Sequence, residues 1–416
     1  MSTNPIVKRQ ILPNGMACFV IPKKGYEEKQ AAITVRYGGA DYRHIMPDGT
    51  HVEMPTGIAH FLEHKLFEDP ELSMFDVFTR QGASVNAYTH FTHTVYYFNT
   101  IDSFDKNLET LFRLIQTPHF TDENVEKEKG IILSEIDMYA DNPYWQVYTG
   151  LHQALFQVSP LKQEILGSQK SVQSIQKEQL YDCYNHFYTP DNMALICVGD
   201  FESAQIIELA QKLTEKDSSS KEKPPHTFHG NEPAQVAKPF TKKSMSVSIP
   251  LFQMGFKALY PETASPTTMA ASSILADMVA GESSEIYSDL YNLGMIDNQF
   301  SVEYIGGTYY GIFLLAGTSS QPKEIRNRIL KTIDAIKRNG LDSKRFEIIK
   351  NKHIGRYIRS LNSIETLSSL QADLFTKDQD ISDAMDAFQN VTLKDVESQL
   401  NAHLQEKNCA ISIINP

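Results

Sequence analysis

The sequence is short of cysteine, tryptophan, long apolar runs and basic charge, and each shortage excludes something. Four cysteines in 416 residues (Cys18, Cys183, Cys197, Cys409) show no CxxC or paired spacing. A disulfide framework is therefore not expected, and a reducing, cytoplasmic setting fits. No apolar run reaches the roughly 18 residues that a membrane-spanning helix needs. Met1 to Gly15 carries Lys8 and Arg9 with no apolar stretch after them, so no signal peptide is expected. Lys and Arg total 39 against 51 Asp and Glu, a formal net charge of -12. That argues against nucleic acid as a partner, because phosphate binding needs a basic face. The acidity serves solubility ahead of attracting basic substrates. What remains is an ordinary globular balance, 41% hydrophobic and 22% charged, long enough for two or three domains and unlike a disordered or collagen-like chain.

One segment interrupts the globular pattern. Thr214 to Pro239 is rich in Ser, Lys, Glu and Pro and reads as a linker. It divides the chain into a domain at 1–213, the linker at 214–239 and a domain at 240–416. The halves look related: Asn192 to Val198 and Asn408 to Ile414 both read as buried strands, each following a helical stretch (Ile175 to Phe187, Leu393 to Leu404). Duplication explains this, and chance likeness of two helix-strand units is the alternative. Residues 31–37 alternate as a half-buried strand. Thr56 to Glu68 reads as a helix with Thr56 as N-cap. Ser84 to Thr89 and Thr94 to Asn99 read as neighbouring strands. Phe104 to Gln116 and Glu123 to Met138 carry helical spacing, and Gly306-Gly307 marks a hairpin between Phe300 to Ile305 and Tyr309 to Leu315. Strands that adjoin without an intervening helix, mixed with helices, predict an α+β fold rather than a doubly wound sheet.

The stretch with chemical content is Gly57 to Glu68, which contains HxxEH at His60, Glu63 and His64. On a helix, positions i and i+4 share a face, about 5–6 Å apart, so two imidazoles there can converge on one zinc ion. Glu63 shares that face but stands beside the metal position, where a general base would take a proton from zinc-bound water. The pattern is the inverse of HExxH. A histidine pair on an amphipathic helix can also be merely structural.

A catalytic zinc needs a third ligand. Glu128 and Glu135 lie seven residues apart, two helical turns, and so share a face of the second helix. Ile131 and Ile132 fall near that face and would partly bury it. Glu135, among Ile131, Ile132, Leu133 and Ile136, is the better ligand, since a carboxylate in such surroundings needs a partner. Glu128 could equally belong to a solvated patch with Glu123, Glu126, Lys127 and Lys129.

The run from Gly38-Gly39-Ala40 through Gly57 to His64, then Gly82 to Thr89 and Glu126 to Glu135, resembles the pitrilysin/insulinase family of inverse zinc metallopeptidases. Its size matches the processing-peptidase branch, and His60 to Glu68 with Asp141-Asn142-Pro143 look most like the bacterial YmfH-like members. The resemblance covers residues 31–145 and continues through Phe187 to Met193 and Gly199-Asp200 into the second half. It implies two related domains, each a mixed, mostly antiparallel sheet packed against helices, together forming one half of a clamshell. It implies one zinc ion per chain held by His60, His64 and Glu135, with Glu63 as catalytic base and Glu128 in support behind the ligands. It also implies that Ser84, Val85, Asn86, Ala87 and Tyr88 form an edge strand that takes an extended peptide by backbone hydrogen bonds. For Asn86, a local backbone bond is the alternative.

The resemblance fails at one place. Active members carry an Arg and a Tyr, six or seven residues apart, thought to stabilise the tetrahedral oxyanion. Alignment over Tyr287 to Asn298 puts Tyr291 and Asp297 there, and a carboxylate is no electrophile unless protonated. Thr268 to Ala280 also lacks histidine. The expectation is a zinc-dependent endopeptidase or processing protease for short unfolded peptides, acting as the zinc subunit of a heterodimer with a related Arg/Tyr-bearing chain. A homodimeric peptidase or a non-catalytic subunit are the alternatives. Arg326, Arg328, Arg356 and Arg359 are nearby alternatives to the missing Arg.

Overall fold

The structure, a computed structural model, describes residues 7–70, 72–215, 223–260 and 262–416. Its strands are β1 (Lys8–Ile11), β2 (Ala17–Pro22), β3 (Lys29–Val35), β4 (Arg43–Ile45), β5 (His51–Glu53), β6 (Ala83–Thr89), β7 (Thr94–Thr100), β8 (Met193–Gly199), β9 (His226–Thr227), β10 (Phe240–Ser244), β11 (Leu251–Leu259), β12 (Ser301–Gly306), β13 (Tyr310–Thr318) and β14 (Cys409–Asn415). Its helices are α1 (Ile58–Lys65), α2 (Met74–Arg80), α3 (Phe104–Gln116), α4 (Asp122–Ala140), α5 (Pro143–Leu155), α6 (Gln169–Ser174), α7 (Lys177–Phe187), α8 (Ser203–Leu213), α9 (Pro266–Ala280), α10 (Glu285–Asn292), α11 (Pro322–Asn339), α12 (Ser343–Ser360), α13 (Ile364–Phe375), α14 (Ile381–Asn390) and α15 (Leu393–His403).

The fold is α+β, as the mixture of adjoining strands and helices requires. One sheet has the order β1-β2-β8-β3-β7-β6 and another β10-β14-β11-β13-β12. In both, the pair β2/β8 or β10/β14 is parallel and the three pairs that follow are antiparallel. The two sheets thus share strand order and direction, which is what duplication produces. The two strands read as equivalent from sequence, β8 and β14, hold the same place in each sheet. β8 is buried along its whole length, so its sequence runs apolar instead of alternating.

The described residues form two compact units. The first comprises those of Met1–Ile136, Gln163–Phe228 and Arg359–Ser382, and the second those of Asp137–Lys162, His229–Ile358 and Asp383–Pro416. Two segments therefore lie outside the contiguous division read from sequence. Helix α5 belongs with the second sheet, because Val147 packs with Leu251 and Ile414 and the Thr241 hydroxyl donates to the Gly150 carbonyl at 3.1 Å. Helix α13 belongs with the first, where Phe375 meets Phe19 edge-on at 6.3 Å and accepts from Arg36 at 2.7 Å through its carbonyl. Of the expected linker, 216–222 lie outside the described residues. The rest is tethered: β9 pairs with β4, and the Glu232 carboxylate accepts from the amides of Gln157, Val158 and Ser159.

In the first unit, Tyr37, Phe61, Phe78, Tyr96 and Phe98 are fully buried, each worth roughly 1.5–3 kcal/mol of apolar burial. They fix α1 and α2 against the sheet. Helix α1 begins later than expected. Its N-cap is Gly57 at φ +90°, and no side chain caps it, so Thr56 does not play that part. Packing decides this: a Cβ on Gly57 would stand 2.3 Å from the Leu166 carbonyl oxygen, and only glycine adopts that turn without penalty.

Candidate metal centre

Helix α1 places His60 and His64 one turn apart, with ring centroids 4.6 Å from each other. Helix α4 brings Glu135 Oε2 to 3.7 Å from His60 Nε2 and 3.6 Å from His64 Nε2. One ligand atom from each side chain lies within 4.8 Å of the others, and among the described residues this is the one group of histidines, cysteines and carboxylates so placed. Glu128, two turns earlier on α4, is buried, and its Oε1 stands 2.9 Å from His64 Nδ1. It does not join a solvated patch. Ile132 is fully buried but Ile131 is 48% exposed, so of the two residues expected to bury that face only Ile132 is buried. Glu63 is buried beside the pair, and its Oε2 accepts from the Thr89 hydroxyl at 2.7 Å.

The electrostatics of this cluster call for a cation. Burial, helped by the neighbouring His64, pushes the His60 pKa down to about 3, so this ring is neutral. Burial also opposes protonation of His64, but the Glu128 hydrogen bond and the charges of Glu63, Glu128 and Glu135 outweigh it and hold His64 above its usual value. Burial raises Glu63, and Glu135 adds to this, while Thr89 and His64 pull the other way. Burial and the Glu128 charge likewise raise Glu135 against the pull of His64. Three carboxylates thus crowd two imidazoles in a poorly solvated place. Two imidazole nitrogens and one carboxylate oxygen form a donor set that suits zinc with a position left open, so the residues present fit the ion.

The centre opens on a cavity of about 800 Å³ lined by Glu63, His64, Phe67, Asn86, Ala87 and Glu128 among others. Phe67 stacks on Phe75 along one side, centroids 4.4 Å apart. Strand β6 forms its rim. Among the described residues it is the last strand of its sheet, bonded to β7 alone, so there its outer backbone edge pairs with no strand. Val85 and Ala87 face the core, while Ser84 and Asn86 are exposed. Asn86 Oδ1 accepts from the Ala87 amide at 2.8 Å, the local bond that is common for Asn. Tyr88 packs edge-on against Tyr97 at 6.2 Å. The structure therefore brings together His60, Glu63, His64, Glu128 and Glu135, and sets Asn86 and Ala87 at the same cavity.

Tyr291 and Asp297 lie in the second unit. Tyr291 is 51% exposed at the end of α10 and lies parallel to Tyr287, 6.1 Å away. The Asp297 carboxylate accepts from the Gln299 amide at 2.9 Å and the Thr318 hydroxyl at 3.1 Å. Sequence reasoning missed Thr89 and the Phe67/Phe75 wall. Thr89 was visible only as the last residue of an expected strand, and nothing in the linear pattern points it at Glu63.

The family pattern "Insulinase (Peptidase family M16)" matches residues 48–169, and "Peptidase M16 inactive domain" matches 174–352. The chain belongs to the M16 peptidase family. It is 32% identical over 414 residues to the Bacillus subtilis (strain 168) protein described as uncharacterized zinc protease YmfH, covering 97% of this chain and 95% of that one. It resembles the crystal structure of an M16-like peptidase from Alicyclobacillus acidocaldarius with a TM-score of 0.93 and 33% identity, over 99% of this chain and 98% of the other. It is also 32% identical over 159 residues to the mitochondrial-processing peptidase subunit beta of Dictyostelium discoideum, 36% of this chain and 34% of that one.

Proposed function

We propose that this chain is a zinc-dependent metalloendopeptidase for short unfolded peptides and the zinc-bearing subunit of a heterodimer. The observation that carries the reading is the convergence of His60, His64 and Glu135, with Glu63 beside them and Glu128 behind. His60, His64 and Glu135 would hold the zinc ion, which would supply the Lewis acidity that acidifies water and polarises a peptide carbonyl. The residues do the rest. Glu128 accepts the His64 Nδ1 hydrogen, which leaves the Nε2 lone pair for coordination. Burial keeps His60 neutral and its lone pair available. Glu63 takes the proton of the attacking water on its carboxylate and passes it to the leaving amine nitrogen. The open edge of β6 takes the peptide backbone as an added strand, a mode that tolerates varied sequences.

The partner requirement rests on Tyr291 and Asp297. Asp297 already accepts hydrogen bonds from the Gln299 amide and the Thr318 hydroxyl, whereas an oxyanion needs a donor. A relative named as one subunit of a processing peptidase supports a divided site. The test is cleavage of a mixture of unstructured peptides, read by mass spectrometry, by the zinc-loaded chain alone and with a related chain carrying the Arg/Tyr pair. Turnover only in the mixture is expected. Zinc-dependent turnover by the chain alone would favour a self-sufficient homodimer, and none in either case would favour a non-catalytic subunit.

A further inference from the structure

Glu63 can serve as base only if one carboxylate oxygen is held toward the reacting water, and a glutamate carboxylate rotates broadly about its last bond. Among the described residues, the Thr89 hydroxyl is the hydrogen-bond donor that Glu63 has, at 2.7 Å from Oε2. The direction of that bond follows from the partners: a carboxylate oxygen accepts, so the hydroxyl donates. The Thr94 hydroxyl donates to the buried Tyr37 carbonyl at 2.8 Å, so its 3.3 Å contact with the Thr89 oxygen brings Thr89 no hydrogen. That contact is also the longer of the two open to the Thr89 hydrogen, which goes to Glu63 at 2.7 Å. The donor is rigid: Thr89 pairs with Thr94 in the β6/β7 register, and a β-branched side chain has little freedom about its first bond.

We propose that Thr89 is the positioning residue for Glu63: it ties down Oε2 and leaves Oε1 as the oxygen that takes and returns the proton. The inference deepens the peptidase reading and rests on it. It also gives the edge strand a second task, because the strand that offers its edge to a peptide ends in the residue that aims the base. Peptide and base are thereby fixed to one rigid element.

The test compares Thr89→Val, which keeps the shape and removes the hydrogen, with Thr89→Ser, which keeps the hydrogen. Both are made in the full chain, zinc-loaded, with its partner subunit where turnover needs one. For Thr89→Val, kcat should fall on the order of 100-fold, the size of effect expected when a reacting group is misplaced. KM should stay within about twofold and zinc stoichiometry should not change. Thr89→Ser should restore kcat to within a few-fold, which a packing role for the methyl group would not do. Crystal structures of the two zinc-loaded variants give a readout independent of turnover: the Glu63 carboxylate should turn in Thr89→Val and stay in Thr89→Ser. An unmoved carboxylate in Thr89→Val, or equal loss of kcat in both variants, would overturn the proposal. A wild-type chain that binds zinc and cleaves nothing in any pairing would sink the peptidase reading instead, and the crystal comparison would still decide what Thr89 does to Glu63.

Discussion

Removing Glu128 should weaken zinc binding without touching a ligand. Its buried Oε1 lies 2.9 Å from His64 Nδ1, so it accepts a hydrogen bond from a ring whose other nitrogen faces Glu135 at 3.6 Å. A hydrogen bond to a charged group is worth about 1.5–3 kcal/mol, and a neutral one about 1. Glu128→Gln keeps an acceptor and loses the charge, so it should forfeit roughly 1–1.5 kcal/mol, about tenfold in Kd. Glu128→Ala loses the bond altogether and frees the His64 ring to turn, which should cost about 100-fold, the upper range for groups that support metal ligands. The assay is competition for zinc with a chromophoric chelator, with melting temperature of the apo chains as a folding control. Zinc affinity of Glu128→Ala within twofold of wild type would refute the argument, because Glu128 would then be a bystander to His64.

Three further outcomes concern stability and placement. In the second unit Asp277 on α9 is bound to α12, by Lys352 at 2.8 Å and His353 at 3.2 Å; burial works against its charge, but these partners hold its pKa down at about 2. Because the folded value lies below the unfolded one near 3.8, its contribution of about 2 kcal/mol is fully present above roughly pH 5 and is lost as pH falls through about 2; Asp277→Asn should melt earlier at pH 7 and show a flatter acid limb in melts taken across that range. Lys257 is fully buried against Glu232 at 2.5 Å, so Lys257→Met should cost about 3–5 kcal/mol in urea unfolding, and the added Glu232→Gln change should recover part of it. Gly57→Ala should displace the start of α1, since its Cβ would sit 2.3 Å from the Leu166 carbonyl oxygen; both melting temperature and zinc stoichiometry should drop, as elemental analysis would show.

The parts of the site carried by one helix were legible in the sequence, because helical geometry is local. His60, Glu63 and His64 follow from a four-residue spacing, and Glu128 and Glu135 from a seven-residue one. The sequence favours Glu135 over Glu128 as the ligand; the burial of Glu128 and its contact with His64 Nδ1 come from tertiary packing and were not legible in it. Thr89 was invisible for the same reason: its partner is 26 residues away in sequence. The fold class was readable from strand order, but the exchange of α5 and α13 between units depends on contacts such as Val147 with Ile414 and Phe375 with Phe19. Thr56 was a reasonable cap by residue type, yet a close approach of Leu166 selected Gly57 instead.

The most direct test of the central claim is Glu63→Gln, measured beside wild type for zinc content and, with the partner subunit where turnover needs one, for peptide cleavage. Glu63 is placed beside the ligands and not among them, so the variant should hold about one zinc per chain, as wild type does, and lose turnover by a factor on the order of 100 to 10,000, the range for a general base. A variant that kept wild-type cleavage, or that lost its zinc, would contradict the account.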